Sequence, residues 1–155
     1  MSTTIDLLVE VRNDKPIYEE VHVEERGAST YRLLQSPGLV LGLAADDVFR
    51  LEPGGAFELL QRGGNLAIQM FSMQPLDRIE PFVSSRLEEI GGRLDGQNPK
   101  ELVYTVPVKV GFRDIERILN QVAAEFSSIK WYYGNVYDPV DGVTPLNWWL
   151  DPCAI

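Results

Sequence analysis

The stretch FRDIERILNQVAAEFSSIKWYYGNVY, residues 112 to 137, contains two hydrophobic periods in succession. In its first part, apolar residues recur every three or four positions, as on one face of an α-helix; they are Phe112, Ile115, Ile118, Leu119, Val122 and Phe126. From Ile129 onward the pattern alternates, which is typical of a β-strand. The stretch therefore predicts a helix that is followed directly by a strand.

The preceding residues repeat this order of elements. NLAIQMFS (65–72) predicts a strand, Pro81 favours the start of a helix with apolar positions at Val83, Leu87 and Ile90, and LVYTVPV (102–108) predicts another strand. Glycines 91 and 92 indicate the end of that helix. The order strand, helix, strand, helix, strand predicts a ferredoxin-like α+β unit with both helices on one face of its sheet.

The first part of the chain reads as short strands that are separated by turn residues. We predict strands in IYEEVHVEE (17–25), TYRLLQSP (30–37), LVLGL (39–43), VFRL (48–51) and AFELLQR (56–62), and a hairpin at glycines 63 and 64. Such spacing favours a small antiparallel β-barrel or a strongly curved sheet. We leave the structure of the N-terminal dozen residues open.

These patterns together predict an α+β fold in three parts. Residues 1–64 form an antiparallel β-barrel-like subdomain, residues 65–138 form the ferredoxin-like subdomain, and residues 139–155 form a C-terminal tail that is packed on the domain or used in binding.

The chain is acidic. Its 155 residues include 14 Lys and Arg against 23 Asp and Glu, which gives a formal charge of −9, and the acidity is spread along the chain. Because nucleic-acid binding depends on cationic groups that replace phosphate counterions, we expect no nucleic-acid partner and no membrane partner. The apolar runs are short and the N-terminus has no basic segment before an apolar core, so we expect a cytoplasmic protein.

His22 is the single histidine of the chain, and it alternates with Glu20 and Glu24 along a predicted strand. These three side chains share one face, where they form a weak candidate for a metal site or a general base. A solvated strand face explains the same pattern, so we predict no metal and no cofactor.

Other candidates for catalysis lack an activating motif. Ser84 and Ser85 lie early in the predicted helix and should face solvent, Cys153 lies three residues from the end, and Asp46 and Asp47 occupy a predicted turn where we expect solvated aspartates. We therefore predict no catalytic residues and a protein that is not an enzyme.

Aromatic residues gather near the C-terminus, in WYYGNVYDPVDGVTPLNWW (131–149), which holds all three tryptophans. Alternation assigns Trp131 and Tyr133 to the core, and a base-stacking surface is disfavoured because basic residues are missing. The later aromatic and acidic residues form a candidate partner-binding surface. Alternatively, the NWW segment (147–149) folds back to cover a sheet face or edge.

The run VHVEERGASTYRLLQSPGLVLGLAADDVFRLEPGGAFELLQRGGNLAIQMF (21–71) resembles a bacterial family that is known as a domain of unknown function, numbered forty-two sixty-five. The resemblance rests on an acidic strand, a YRL strand before a proline, a GLxxxDVF-type turn and strand, and a GGN-type hairpin. It extends through IGGRLDG (90–96) and the aromatic strand, over residues 17 to 137. It implies no activity, cofactor or catalytic residue.

We predict a non-enzymatic protein-binding protein, specifically an immunity protein that occludes the active site of a cationic toxin. The residues predicted to bind this partner are Glu20, Glu24, Tyr137, Asp138, Asp141, Trp148, Trp149 and Asp151. The alternative is a small-molecule or peptide-binding regulatory domain, whose aromatic residues would line a concave pocket between the two subdomains. A third hypothesis is a hydrolase that uses Glu20, His22 and Glu24.

Overall fold

The computed structural model describes residues 1–151, which form two antiparallel sheets and two α-helices. The first sheet contains β1 (Ser2–Arg12), β2 (Lys15–Gly27), β3 (Thr30–Leu33), β4 (Val48–Leu51) and β5 (Phe57–Gln61), paired in that order. The second sheet has the order β7-β8-β6-β9; its strands are β6 (Asn65–Ser72), β7 (Arg93–Asn98), β8 (Glu101–Pro107) and β9 (Ile129–Tyr133). The helices are α1 (Glu80–Glu89) and α2 (Phe112–Glu125). The predicted α+β class is confirmed.

One face of the second sheet packs against the two helices. Alternate residues of β6, namely Leu66, Ile68 and Met70, are fully buried in the same core as the buried stripe of α2. That stripe consists of Ile115, Ile118, Leu119 and Val122, as the sequence predicts. Neither helix of the described residues is long and apolar enough to cross a membrane.

Residues 36–47, which we call the inter-sheet segment, lie between the two sheets. Its Val40 and Leu43 pack into the core of the first sheet. At its start, the hydroxyl of Ser36 lies 2.6 Å from that of Thr105 on β8, and the amide of Gln69 on β6 donates to the carbonyl of Pro37 at 3.2 Å. The segment therefore joins both sheets.

The strand that we predicted within this segment, at residues 39–43, was wrong. Gly42 has a φ of +95°, which breaks an extended run, and the N–H groups of Gly38, Leu39 and Val40 donate to the carboxylate of Glu19 instead of to a neighbouring strand. The run LVLGL is therefore an apolar loop, in which Val40 and Leu43 are buried and Leu39 and Leu41 are exposed.

Asp47 fixes the end of this segment. Its carboxylate is 0% exposed and accepts hydrogen bonds from the N–H of Ala44 at 2.9 Å and the N–H of Gly63 at 2.8 Å. The guanidinium of Arg62 completes the set at 3.3 Å and also donates to the carbonyl of Gly42 at 2.8 Å. The expectation of a solvated turn aspartate was wrong at this position, because the turn is covered by the link between the two sheets.

The predicted hairpin at glycines 63 and 64 is instead the crossover from one sheet to the other. A Cβ atom on Gly63 would lie 2.5 Å from the backbone of Asp46, so the close approach requires glycine. β6 pairs with β8 and β9 and not with β5. A strand that is buried on both faces, as β6 is, takes a central position in its sheet.

Two further features differ from the sequence predictions, and a third concerns the N-terminal residues, whose structure the sequence left open. Within residues 1–151 the first sheet stays open, with β1 and β5 at its edges, so no closed barrel forms. The N-terminal residues form the long strand β1, which pairs with β2. β7 was not predicted, because RLDGQN is polar, contains a glycine and carries an irregularity between Leu94 and Gly96.

Removing the carboxylate of Asp47 should destabilise the whole fold. Asp47→Ala would leave the N–H groups of Ala44 and Gly63 without their acceptor and the guanidinium of Arg62 without its ion-pair partner, and we expect a loss of about 3–5 kcal/mol in the free energy of unfolding. Urea denaturation measures this change. Asp6→Ala, at an exposed position of β1, is the matched control; a loss below about 1 kcal/mol for Asp47→Ala would contradict the assigned role.

Candidate functional site

A cleft of about 980 Å³ opens between the two sheets. One wall comes from β1, the inter-sheet segment and β5, and the other from β6, α2, β9 and residues 137–142. We call it the aromatic cleft, because six aromatic residues line it: Phe57, Phe71, Trp131, Tyr132, Tyr133 and Tyr137. Leu8, Val9, Leu39, Val40 and Leu41 add aliphatic surface.

Tyr132 is the most exposed of these aromatic residues, at 55%. It pairs with Gln69 across β9 and β6, and its ring lies 6.2 Å from that of Phe71, centroid to centroid. Both side chains lie on the face of the second sheet that is turned away from the helices. The fold therefore presents an aromatic pair to the cleft instead of burying it.

Trp131 and Tyr133 project from the opposite face of β9. Their rings are 5.1 Å apart in an edge-to-face arrangement, and the hydroxyl of Tyr133 donates to the carboxylate of Glu116 at 3.0 Å. Burial raises the pKa of Tyr133 above its ordinary value, and the adjacent Glu116 raises it further. Tyr133 therefore stays a neutral hydrogen-bond donor. Its burial confirms the prediction that it is a core residue.

The charged residues that line the aromatic cleft are all acidic. They are Glu10, Glu116 and Asp138, and no lysine or arginine is among the lining residues. Glu10 is paired with the exposed side chain of Arg12. Glu116 and Asp138 form no ion pair with a lysine or arginine of the described residues, so the lining of the cleft has a net negative charge.

The rim formed by residues 38–41 is held in place by Glu19. This carboxylate accepts the N–H of Gly38 at 2.7 Å and those of Leu39 and Val40 at 2.9 Å each. Three donors converging on one carboxylate hold the backbone firmly, as at a helix N-terminus. The apolar rim is therefore preformed.

A second carboxylate lies behind this rim. A Cβ atom on Gly38 would lie 2.9 Å from an oxygen of Glu101, and the other oxygen of Glu101 is buried without a hydrogen-bond partner. Burial raises the pKa of Glu101 to about 7, and the negative charge of Glu19 contributes to the rise. Both carboxylates border a smaller pocket of about 300 Å³ that His22 also lines.

Two of the predicted partner-binding residues lie in the aromatic cleft. They are Tyr137, which is 40% exposed, and Asp138. Asp141 lies nearby in the exposed turn over residues 138–144, where its carboxylate accepts the N–H groups of Val143 and Thr144 at 2.9 Å. The hydroxyl of Thr144 also donates to this carboxylate, and that hydrogen bond, together with the two N–H groups, lowers the pKa of Asp141.

The two tryptophans of the tail pack on the protein itself. Trp148 is 9% exposed, its indole N–H donates to the carbonyl of Asn135 at 2.9 Å, and Arg62 lies 5.3 Å from its ring centroid. Trp149 packs against the ring of Phe112 at 4.9 Å. This geometry supports the alternative in which NWW covers the domain, and a partner-binding role for either tryptophan stays a prediction.

The remaining predicted partner-binding residues are separate from the cleft. Glu20 and Glu24 lie on the solvent-facing side of the first sheet, where Glu24 pairs with Arg32 at 3.3 Å and with Arg26 at 3.0 Å. The pairing with Arg32 lowers the pKa of Glu24. Asp151 is exposed at the end of the described residues. Binding roles for all three stay predictions.

The side chains that we considered for catalysis do not converge. His22 is exposed between Glu20 and Glu24, and no group of three or more His, Cys, Asp and Glu residues within 1–151 has the geometry to hold a metal ion. Ser84 is buried and lies 2.8 Å from the hydroxyl of Tyr104, so its predicted exposure was wrong. Cys153 is outside the described residues.

Sequence reasoning missed most of the cleft. Much of its lining comes from elements that meet only after the two sheets pack. Phe57 belongs to β5, Phe71 belongs to β6, and Leu39 and Leu41 belong to the inter-sheet segment. A signal was present at Tyr132, which the strand pattern places opposite the core and which is nevertheless aromatic. An aromatic residue on the outward face of a strand is a candidate for binding.

The family model for a domain of unknown function, DUF4265, matches residues 19–129. The chain belongs to this family. The resemblance inferred from the sequence is thus confirmed, and it carries no characterised activity. Comparison with curated protein sequences gives no match.

A solved structure has a similar fold. It is described as a novel crystal structure of a hypothetical protein from Neisseria gonorrhoeae, and it aligns with a TM-score of 0.68 at 16% sequence identity. The alignment covers 86% of this chain and 94% of that chain. At this identity the likeness concerns the fold alone.

The packing of Trp148 predicts a structural role. Trp148→Ala should lower the free energy of unfolding by about 3–5 kcal/mol, because a large buried ring and its hydrogen bond are lost. Trp149→Ala, which removes a half-buried ring, should cost less and serves as the comparison in thermal or urea denaturation. Equal stability of Trp148→Ala and the wild type would contradict this role.

Glu101 should make stability depend on pH. Its folded-state pKa of about 7 is above the ordinary 4.5, so its contribution to stability is complete below about pH 4.5 and is lost as the pH rises through about 7. Glu101→Gln should therefore be more stable than the wild type at pH 8, by about 1–3 kcal/mol, and show a flatter profile between pH 5 and 8.

Denaturation at several pH values measures this effect, with the exposed Glu125→Gln as the control. Parallel pH profiles for the wild type and Glu101→Gln would show that the Glu101 carboxylate is not strained by burial.

Proposed function

We propose that this protein is a non-enzymatic binding protein, whose aromatic cleft holds an apolar and positively charged segment of a partner protein. The observation that carries the proposal is the lining of the cleft, which combines six aromatic residues with acidic residues and no basic residue.

The exposure of apolar residues supports a binding role for the cleft. Leu39 is 47% exposed and Leu41 is 42% exposed on one side, and Tyr132 and Tyr137 are exposed on the other. A soluble domain seldom leaves large apolar side chains together on one concave surface unless a partner covers them. Tyrosine and tryptophan are also the residues that most often anchor partners.

The charge of the cleft indicates the kind of partner. Glu116 and Asp138 contribute negative charge to the lining of the cleft, and the chain as a whole has a formal charge of −9. Such a field accelerates the approach of a cationic partner and disfavours an acidic one. A lysine or arginine between apolar side chains therefore complements the site.

An immunity protein is the specific case that we propose. A cationic toxin domain would be drawn to the acidic surface, and the aromatic cleft would hold a segment of that domain so that its active site is blocked. The protein would act in the cytoplasm. The separation of His22 from the cleft and the burial of Ser84 in the helical core support binding without catalysis.

A small-molecule ligand is the second candidate. The cleft is concave, as this alternative requires, and its volume of about 980 Å³ is at the upper end of the roughly 300–1,000 Å³ that is common for small-molecule sites. Its lining would favour an amphipathic amine.

We also infer the finer architecture of the second half. The element order β6-α1-β7-β8-α2-β9 and the strand order β7-β8-β6-β9 agree with a ferredoxin-like arrangement. This half would then supply the sheet edge on which the cleft is built.

Selection of short random peptides displayed on phage, against the immobilised full-length protein at low salt, tests the proposed binding. We expect enriched peptides to combine lysine or arginine with apolar residues. Their affinity should fall about tenfold between roughly 50 and 500 mM salt, because the charges are screened.

Matched variants locate the binding site. Tyr132→Ala should weaken the best peptide by about tenfold or more, whereas Tyr18→Ala, at a similarly exposed tyrosine outside the cleft, should not. The same comparison is made for charge on α2. Glu116→Gln should weaken the best peptide, whereas Glu125→Gln, at an exposed position outside the cleft, should not. Enriched peptides without cationic residues, or an affinity that is indifferent to Tyr132→Ala, would refute the proposal.

The immunity role has its own test, which is co-expression with a toxin encoded next to this gene. We expect the wild type and Tyr18→Ala to restore growth and Tyr132→Ala to fail. Protection that is unaffected by Tyr132→Ala would contradict inhibition through the cleft.

A further inference from the structure

We propose that the partner enters the aromatic cleft as an added β-strand, which pairs with the free edge of β9. This inference rests on the binding role proposed above and specifies the form of the bound segment: an extended chain of about five residues in which a lysine or arginine follows or precedes apolar residues.

The sheet topology leaves one side of β9 open. β9 is the last strand of the order β7-β8-β6-β9, and within residues 1–151 it pairs only with β6. Its five residues, Ile129–Tyr133, extend for about 16 Å at the usual rise of about 3.3 Å per residue. This length sets the size of the segment that can pair with it.

The register shows which backbone groups point outward. The N–H of Gly134 donates to the carbonyl of Ala67 at 2.8 Å, and Tyr132 pairs with Gln69 in the same register. Because backbone groups alternate in direction along a strand, Lys130 and Tyr132 direct their N–H and C=O groups toward β6. The backbone groups of Trp131 and Tyr133 point away from the sheet.

The hydrogen bonds between β6 and β8 give the same assignment independently. The N–H of Val108 donates to the carbonyl of Gly64 at 2.9 Å, and the N–H of Ser72 donates to the carbonyl of Lys100 at 3.1 Å. Even-numbered residues of β6 therefore bond toward β8, which leaves its odd-numbered residues for β9. Both ladders thus agree on the outward groups of Trp131 and Tyr133.

The outward N–H and C=O groups of Trp131 and Tyr133 are available to pair with another strand. No backbone hydrogen bond outside the strand ladders reaches Trp131 or Tyr133 from residues 1–151. Unpaired edge groups beside apolar side chains favour the addition of another strand, since main-chain hydrogen bonds then supply affinity.

The cleft follows this edge. Tyr132 projects from one face of β9, Trp131 and Tyr133 project from the other, and all three line the same cleft. A cavity that is reached by both faces of one strand must run along its edge. Side chains of an added strand would alternate between the same two walls.

The acidic residues position the cationic side chain. One oxygen of Glu116 accepts the hydroxyl of Tyr133, and its second oxygen accepts no hydrogen bond from the described residues. A lysine or arginine on the Trp131 and Tyr133 side of the added strand would therefore meet Glu116, while its apolar neighbours would meet Tyr132 and Phe71 on the other side.

Amide hydrogen exchange of the full chain tests the free edge first. In the free protein, the amides of Trp131 and Tyr133 should exchange much faster than those of Lys130 and Tyr132. Equally slow exchange at all four would overturn the strand-addition proposal and would leave the binding proposal standing.

The best phage-selected peptide is the probe for pairing itself. Its addition should slow exchange at Trp131 and Tyr133 by about tenfold or more, with no change at the opposite edge strand β7, which is the internal control. N-methylation of the peptide, one amide at a time, should weaken binding by about tenfold at alternate positions only, since every second N–H faces β9.

The two proposals fail in different ways. A peptide whose affinity depends on Tyr132 but tolerates every N-methyl group would overturn strand addition and support binding through side chains alone. Selection that yields no peptide sensitive to Tyr132→Ala would refute the binding role and the strand addition with it.

Discussion

The buried carboxylate of Asp47 connects the parts of this fold that would otherwise be independent. It accepts N–H groups from Ala44 in the inter-sheet segment and from Gly63 in the link between the sheets, and it is paired with Arg62. Burial raises its pKa to about 6, while these donors oppose the rise. The energy that desolvation costs is offset only if all donors stay in position, so the junction admits one geometry.

The geometry of this junction determines where the walls of the aromatic cleft lie. Arg62 holds the carbonyl of Gly42 and stacks near Trp148, so the same junction orients the inter-sheet segment and the C-terminal residues. The segment then passes between the sheets, where Glu19 from the first sheet and Gln69 from the second fix its backbone. The segment consequently has a fixed position between the sheets, where its residues 39–41 line the cleft. A cleft whose wall is fixed in this way by the inter-sheet segment is rigid before a partner binds, which lowers the entropic cost of binding.

Sequence periodicity predicted the elements whose side chains face a single core. The helical stripe of α2, the alternation of β2 and the inward residues Trp131 and Tyr133 agree with the structure for this reason. The run LVLGL was misread because an apolar loop, of which Val40 and Leu43 are buried, has the same composition as a short strand. β7 was missed because a polar edge strand lacks alternation, and the burial of Asp47 could not be predicted because its donors come from distant positions. The cleft had the same difficulty, since its walls come from four strands, one helix and two loop segments, and the sequence pointed only to Tyr137, Asp138 and the outward Tyr132.

We propose that the aromatic cleft holds a cationic, extended segment of a partner along β9. A crystal structure of the full chain with its best selected peptide tests this claim most directly. We predict peptide density between the two sheets, antiparallel or parallel to β9, with backbone hydrogen bonds to Trp131 and Tyr133 and a basic side chain at Glu116. Peptide bound on the solvent-facing side of the first sheet, near Glu20 and Glu24, with an empty cleft would contradict it.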